Sequence, residues 1–160
     1  MVFSFFKKSK LQILAPVNGA IIPLEEVPDP VFSQKMMGEG IAVIPTSGNI
    51  HAPVNGTVIL IAATKHAIGI RADDGTEILI HAGLETVALN GKGFVAAVHE
   101  GDRISVGQLL IEVDWDYIQK HVKSTVTPIV ITNSQEKGRQ FTLTKEVNAI
   151  LGKTVIISSP

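Results

Sequence analysis

The 160-residue chain contains no cysteine. That absence excludes disulfide scaffolds, iron–sulfur clusters, thiolate zinc sites and any cysteine nucleophile. Aromatic residues are scarce at 5%, so the core must be aliphatic. Charged residues reach only 18%, and 14 basic against 15 acidic side chains leave a net charge of -1. Without a field of one sign to hold a polyanion, nucleic-acid binding is disfavoured. No apolar run approaches the roughly 18 residues of a membrane-spanning helix. The longest, residues 58–63, is the size of a strand. At the N-terminus Phe3, Phe5 and Phe6 precede Lys7, Lys8 and Lys10, the reverse of a secretory signal. A flexible tail over residues 1–10 is expected there, and in an amphipathic form it would make at most weak peripheral contact with an anionic membrane.

What the chain has in quantity is β-branched aliphatic residue. It carries 17 valines and 20 isoleucines against 11 leucines. That balance predicts an all-β protein with a stiff aliphatic core. An internal repeat adds detail: Ala15-Pro16-Val17-Asn18-Gly19-Ala20-Ile21-Ile22 recurs 37 residues later as Ala52-Pro53-Val54-Asn55-Gly56-Thr57-Val58-Ile59. Downstream, Val106-Gly107-Gln108-Leu109-Leu110-Ile111 is echoed by Leu151-Gly152-Lys153-Thr154-Val155-Ile156. Two copies are too few for a solenoid and predict two related halves of an antiparallel β-sandwich or barrel-sandwich. Each Asn-Gly is read as a tight hairpin turn. Helix is restricted to two short segments. One starts at Asp29-Pro30, an N-cap followed by proline, and runs through Val31, Phe32 and Lys35. The other covers residues 116–123, acidic at its start and basic at its end. With no linker of Pro, Gly or Ser, residues 11–160 are expected to be a single domain.

Residues 64–81 read as a hairpin with its turn at Asp74-Gly75. If those two residues alone form the loop, Ile68 lies opposite His81, and His66 shares a face with His81, Ile68, Ile70 and Leu79. Diagonal neighbours on a sheet face are about 7–8 Å apart, close enough for two imidazoles to meet. A three-residue loop with a glycine bulge would instead send the two histidines to opposite faces. Apolar surroundings and a second imidazole both favour the neutral ring. Neutral imidazole can be a metal ligand, a general base or a phosphoryl acceptor, and spacing alone does not choose among them.

The segments Thr64-Lys65-His66-Ala67 and Gly75-Thr76-Glu77-Ile78-Leu79-Ile80-His81-Ala82-Gly83-Leu84-Glu85-Thr86-Val87 resemble the glucose-type enzyme IIA components of the bacterial phosphoenolpyruvate-dependent sugar phosphotransferase system. So do Ala15-Pro16 with Asn18-Gly19, Val27-Pro28-Asp29 with Val31-Phe32, and Gly38-Glu39-Gly40-Ile41-Ala42. The resemblance runs from about Leu11 to the C-terminus and implies one enzyme IIA type-1 domain. It implies a cytoplasmic phosphotransferase component that takes a phosphoryl group from the phosphocarrier protein HPr and passes it to a cysteine of an enzyme IIB domain. His81 falls at the phosphorylated position, and His66 at that of the histidine supporting the phosphoryl group. Thr64 matches the threonine that orients His66, and Gly83 the residue whose carbonyl holds His81. Asp29, Val31, Phe32, Met36, Met37, Leu84, Glu85 and Val87 are implied to form an apolar docking rim with two acidic residues. Many relatives have aspartate where this chain has Glu85, and several have phenylalanine at Ala62 and Ala82. No cofactor is required, although His66 and His81 could bind zinc if a partner supplied a further ligand. His51, His99 and His121 match no family site and are read as structural or solvated.

Two readings of another class compete. A zinc hydrolase on a similar scaffold needs three protein ligands and usually an H-x-H pair, which this sequence lacks. A biotinyl or lipoyl carrier would fit the hairpin at residues 100–110, but needs a modifiable lysine at a tight turn, and Lys35-Met36-Met37 is a poor match. Met1 and the basic tail favour a free subunit over a piece of a longer transporter.

Overall fold

The computed structural model describes residues 11–160. The flexible tail expected over residues 1–10, with its amphipathic alternative, lies outside them. Strands occupy Gln12–Leu14 (β1), Asn18–Pro23 (β2), Glu39–Ser47 (β3), Ile50–His51 (β4), Gly56–Ile61 (β5), Ala67–Ala72 (β6) and Glu77–His81 (β7). They continue at Phe94–Ala96 (β8), Arg103–Ile104 (β9), Leu109–Val113 (β10), Thr127–Ile131 (β11), Thr142–Leu143 (β12), Asn148–Ala149 (β13) and Val155–Ser158 (β14). The α-helices, Pro30–Ser33 (α1) and Trp115–His121 (α2), are as brief as expected and each begins one residue after an aspartate cap. Helix α1 ends before Lys35, which takes a left-handed conformation at φ 58°.

One sheet of eight strands, ordered β13-β2-β3-β11-β7-β6-β5-β9, dominates the molecule. Two three-stranded sheets, β1-β14-β12 and β4-β10-β8, accompany it, and the paired strands are antiparallel. The strands of the large sheet alternate between two apolar environments. Ile41, Val43, Ile68, Ile70, Ile78, Ile80, Ile129 and Ile131 point inward and pack with Ile13, Ile50, Ile111 and Ile156 of the small sheets. Ala42, Ala67, Leu79 and Val130 face the other way, where Leu24, Val27, Phe32, Leu84 and Val126 cover them. Burial on both faces explains why these segments read as unbroken β-branched runs.

The repeat is a true structural duplication. Leu14 N–H donates to Pro53 O (3.0 Å), and His51 N–H, 37 residues on, donates back to Pro16 O (2.9 Å). The two halves therefore exchange the same bond across a local two-fold. Asn18 Oδ1 accepts from Leu151 N–H and Asn55 Oδ1 from Val106 N–H, both at 2.8 Å. The reading of each Asn-Gly as a hairpin turn is incorrect. Gly19 and Gly56 lie inside β2 and β5, where a Cβ would stand 2.1 Å from Ile44 O and 2.3 Å from Arg71 O. They are glycine because a neighbouring strand approaches too closely for a side chain.

The hairpin register also differs from the two-residue-loop reading. Ala67, not Ile68, faces His81, and Ile68 pairs with Ile80. Gly75, at φ 92°, ends a three-residue loop in which Asp74 Oδ1 accepts from Thr76 N–H (2.9 Å). Ile68 and Ile70 consequently belong to the inner core and do not share a face with His81.

Candidate functional site

His81 is the last residue of β7 and lies on the outer face, two residues beyond Leu79. His66 precedes β6 and so escapes the alternation of the ladder. Its predecessor Lys65 is left-handed at φ 62°, and His66 O accepts from Ala82 N–H (2.8 Å). This turn brings the two imidazoles together despite the altered register. Their ring centroids are 4.8 Å apart, with planes inclined at 78°.

Each ring has its Nδ1 occupied. His81 Nδ1 lies 2.7 Å from Gly83 O, which can only accept, so Nδ1 carries the proton and Nε2 the lone pair. His66 Nδ1 lies 2.6 Å from Thr64 Oγ1, a hydroxyl able to donate to it and leave the proton on Nε2. Burial pushes the His66 pKa down to about 4, helped by the neighbouring His81. Burial also holds His81 below the usual histidine value, against the Gly83 bond and the charge of Asp29, which pull upward. Both rings are neutral at pH 7, and His81 is thereby a competent nucleophile.

Asp29 caps α1 by accepting from Val31 N–H (3.0 Å), and the helix delivers Phe32 to within 5.2 Å of the His81 ring, centroid to centroid. Val31, Met36, Met37 and Val87 are exposed, Val87 at 57% and Met36 at 68%. Glu85 is exposed and left-handed. Of the expected rim residues, Phe32 and Leu84 are 95% buried in the outer core. Ala82 is fully buried and Ala62 partly so.

Sequence reasoning missed the groups behind Gly83. Thr86 Oγ1 donates to Ala82 O (2.7 Å), and Thr127 Oγ1 accepts from Gly83 N–H (3.3 Å). Thr86 stands inside the histidine motif, but Thr127 is 44 residues from Gly83 and carries no local signal. Among the described residues no group of three or more His, Asp or Glu side chains is arranged to hold a metal, and no helix is long and apolar enough to cross a membrane. His51, His99 and His121 lie apart from the pair. His51 bonds Gly107 O, His99 sits beside Asp102, and His121 stacks on Tyr117.

The profile of the family described as "phosphoenolpyruvate-dependent sugar phosphotransferase system, EIIA 1" matches residues 11–137. A "PTS system glucose-specific EIIA component" from Bacillus anthracis is 48% identical over 151 residues, 94% of this chain and 91% of that protein. A "PTS system glucose-specific EIICBA component" from Staphylococcus saprophyticus is 51% identical over 143 residues, 89% of this chain but 21% of that much longer protein. The solved structure of "glucose permease IIA from Mycoplasma capricolum" superimposes with a TM-score of 0.85 at 39% identity, covering 94% of this chain and 96% of that one. With its histidine pair on a duplicated antiparallel β scaffold, the chain belongs to the EIIA 1 family and is a phosphoryl-carrying component of the sugar phosphotransferase system.

Proposed function

We propose that His81 Nε2 accepts the phosphoryl group and that His66 stabilises it. The observation that carries this reading is the pair of nearly perpendicular rings 4.8 Å apart, each with Nδ1 engaged. Phosphoryl transfer passes through a loose, in-line transition state, so the protein mainly positions groups and stabilises the equatorial oxygens. As the His81 Nε2–P bond forms, the P–N bond to the donor histidine of HPr breaks and its electron pair returns to the donor ring. The His66 Nε2–H, oriented by Thr64, donates to the phosphoryl oxygens. In the second transfer the thiolate of an enzyme IIB cysteine takes the phosphoryl group, and its electron pair returns to His81 Nε2.

The exposed Val31, Met36, Met37 and Val87, with Asp29 and Glu85, supply the surface on which HPr and the IIB domain dock in turn. The glucose-specific names of the two relatives favour a IIB domain of a glucose transporter, reached from the cytoplasm. The chemistry requires no cofactor. Zinc on the two imidazoles would need further ligands from a partner, because a zinc site takes about four.

Incubation with phosphoenolpyruvate, enzyme I and HPr should place an acid-labile, base-stable phosphate on the peptide containing His81. His81→Ala should abolish labelling, while His66→Gln should accept phosphate and fail mainly in onward transfer. Retained labelling in the His81 variant would refute the assignment.

A further inference from the structure

Gly83 stands between two peptide groups, and both are tied down. In the Ala82–Gly83 peptide, Ala82 O accepts from Thr86 Oγ1–H (2.7 Å) and Gly83 N–H donates to Thr127 Oγ1 (3.3 Å). In the Gly83–Leu84 peptide, Leu84 N–H donates to Ser124 O (3.0 Å), while Gly83 O receives the His81 Nδ1 proton (2.7 Å). The Thr127 hydroxyl also donates to Thr125 O (3.0 Å), so its single proton is committed and its lone pair must face Gly83. Both threonines are completely buried, away from bulk solvent. The backbone between them is in the left-handed region at φ 75°, and a Cβ on Gly83 would stand 2.6 Å from Thr86 Cγ2. Three bonds besides the one to His81 thus fix the direction of the one carbonyl that selects the His81 tautomer.

We propose that Thr86 and Thr127 are positioning residues for phosphoryl transfer, acting through the Gly83 carbonyl to hold His81 with its proton on Nδ1 and its lone pair on Nε2. The inference rests on the reading of His81 as the phosphoryl acceptor. Neither threonine touches the phosphoryl group. Their effect is on the fraction of His81 rings that present the attacking nitrogen in the correct rotamer and tautomer, as a misplaced carbonyl would admit the Nε2–H form.

The test combines ¹⁵N NMR of the His81 ring with the rate of transfer from phospho-HPr, in the wild type, Thr86→Val, Thr127→Val and the two serine variants. The wild type and the serine variants, which keep the hydroxyl, should show one Nδ1–H tautomer. The valine variants, similar in shape, should show a mixture and accept phosphate about tenfold more slowly, with the KM for phospho-HPr unchanged. Folded valine variants with the wild-type tautomer and rate would overturn the proposal. If the valine variants do not fold, the wild type decides alone: slowly exchanging Thr86 and Thr127 hydroxyl protons with an Nδ1–H His81 uphold it, and rapidly exchanging ones overturn it. Phosphate recovered on another residue would overturn His81 as acceptor, and with it the role of the threonines in phosphoryl transfer, whereas unchanged His81 ring signals in the valine variants would overturn the positioning role alone.

Discussion

Two neutral imidazoles packed edge to face make this site sensitive to acid. The folded-state pKa of His66, about 4, lies below the ordinary value of 6.5 that the unfolded chain restores. Between those values the unfolded chain holds a proton that the folded chain does not, so stability is complete above about pH 6.5 and falls as acid is added toward about pH 4. His81 is shifted in the same direction and adds to the loss. Each ring contributes at most about 1.4 kcal/mol per pH unit within its window. Urea unfolding across this range should show that slope, and His66→Gln should reduce it. An unchanged slope in the variant would place the acid sensitivity elsewhere. At this scale the sequence was informative where chemistry and motif coincide: His66, His81, Thr64 and the Gly83 carbonyl all meet as expected. Thr127 was invisible because its relation to Gly83 exists only once β11 is paired beside β7.

Helix α1 has only four residues and depends on its cap and its burial more than on intrinsic propensity. Asp29→Ala should cost about 1 kcal/mol by freeing the Val31 N–H, read from urea unfolding. Asp29→Asn keeps a capping oxygen and should restore most of that stability. It also removes the charge that raises the His81 pKa, which should fall further in an NMR titration. The two variants separate capping from electrostatics. The hairpin of β6 and β7 was legible as a hairpin, since β-branched runs flank Asp74-Gly75. Its loop length was not, because an Asp74 side-chain bond and a left-handed Gly75 stabilise a three-residue loop that the same dipeptide also permits. The histidines meet anyway because Lys65 turns the chain before the ladder begins. Asn-Gly misled for a related reason: glycine serves close approach as well as turns, and only the neighbouring strand distinguishes the two.

Across the molecule, the repeat correctly announced two related halves, and the aliphatic composition announced a core without aromatic bulk. Neither disclosed that the large sheet is buried on both faces, with the chemistry on the outer one. Asn18 and Asn55 occupy equivalent places in the duplication, each holding a backbone N–H of the later repeat. Asn18→Ala and Asn55→Ala should each cost about 1 kcal/mol in urea unfolding while leaving phosphorylation from phospho-HPr unchanged. A large loss of phosphorylation in either folded variant would mean that the scaffold and the site are coupled. Among the described residues, strand β1 pairs in its sheet only with β14, and Leu11 O accepts from Ser159 N–H at 3.0 Å. During synthesis β1 must therefore wait, unpaired in its own sheet, until residues 155–158 have emerged from the ribosome, so this half of the scaffold closes late.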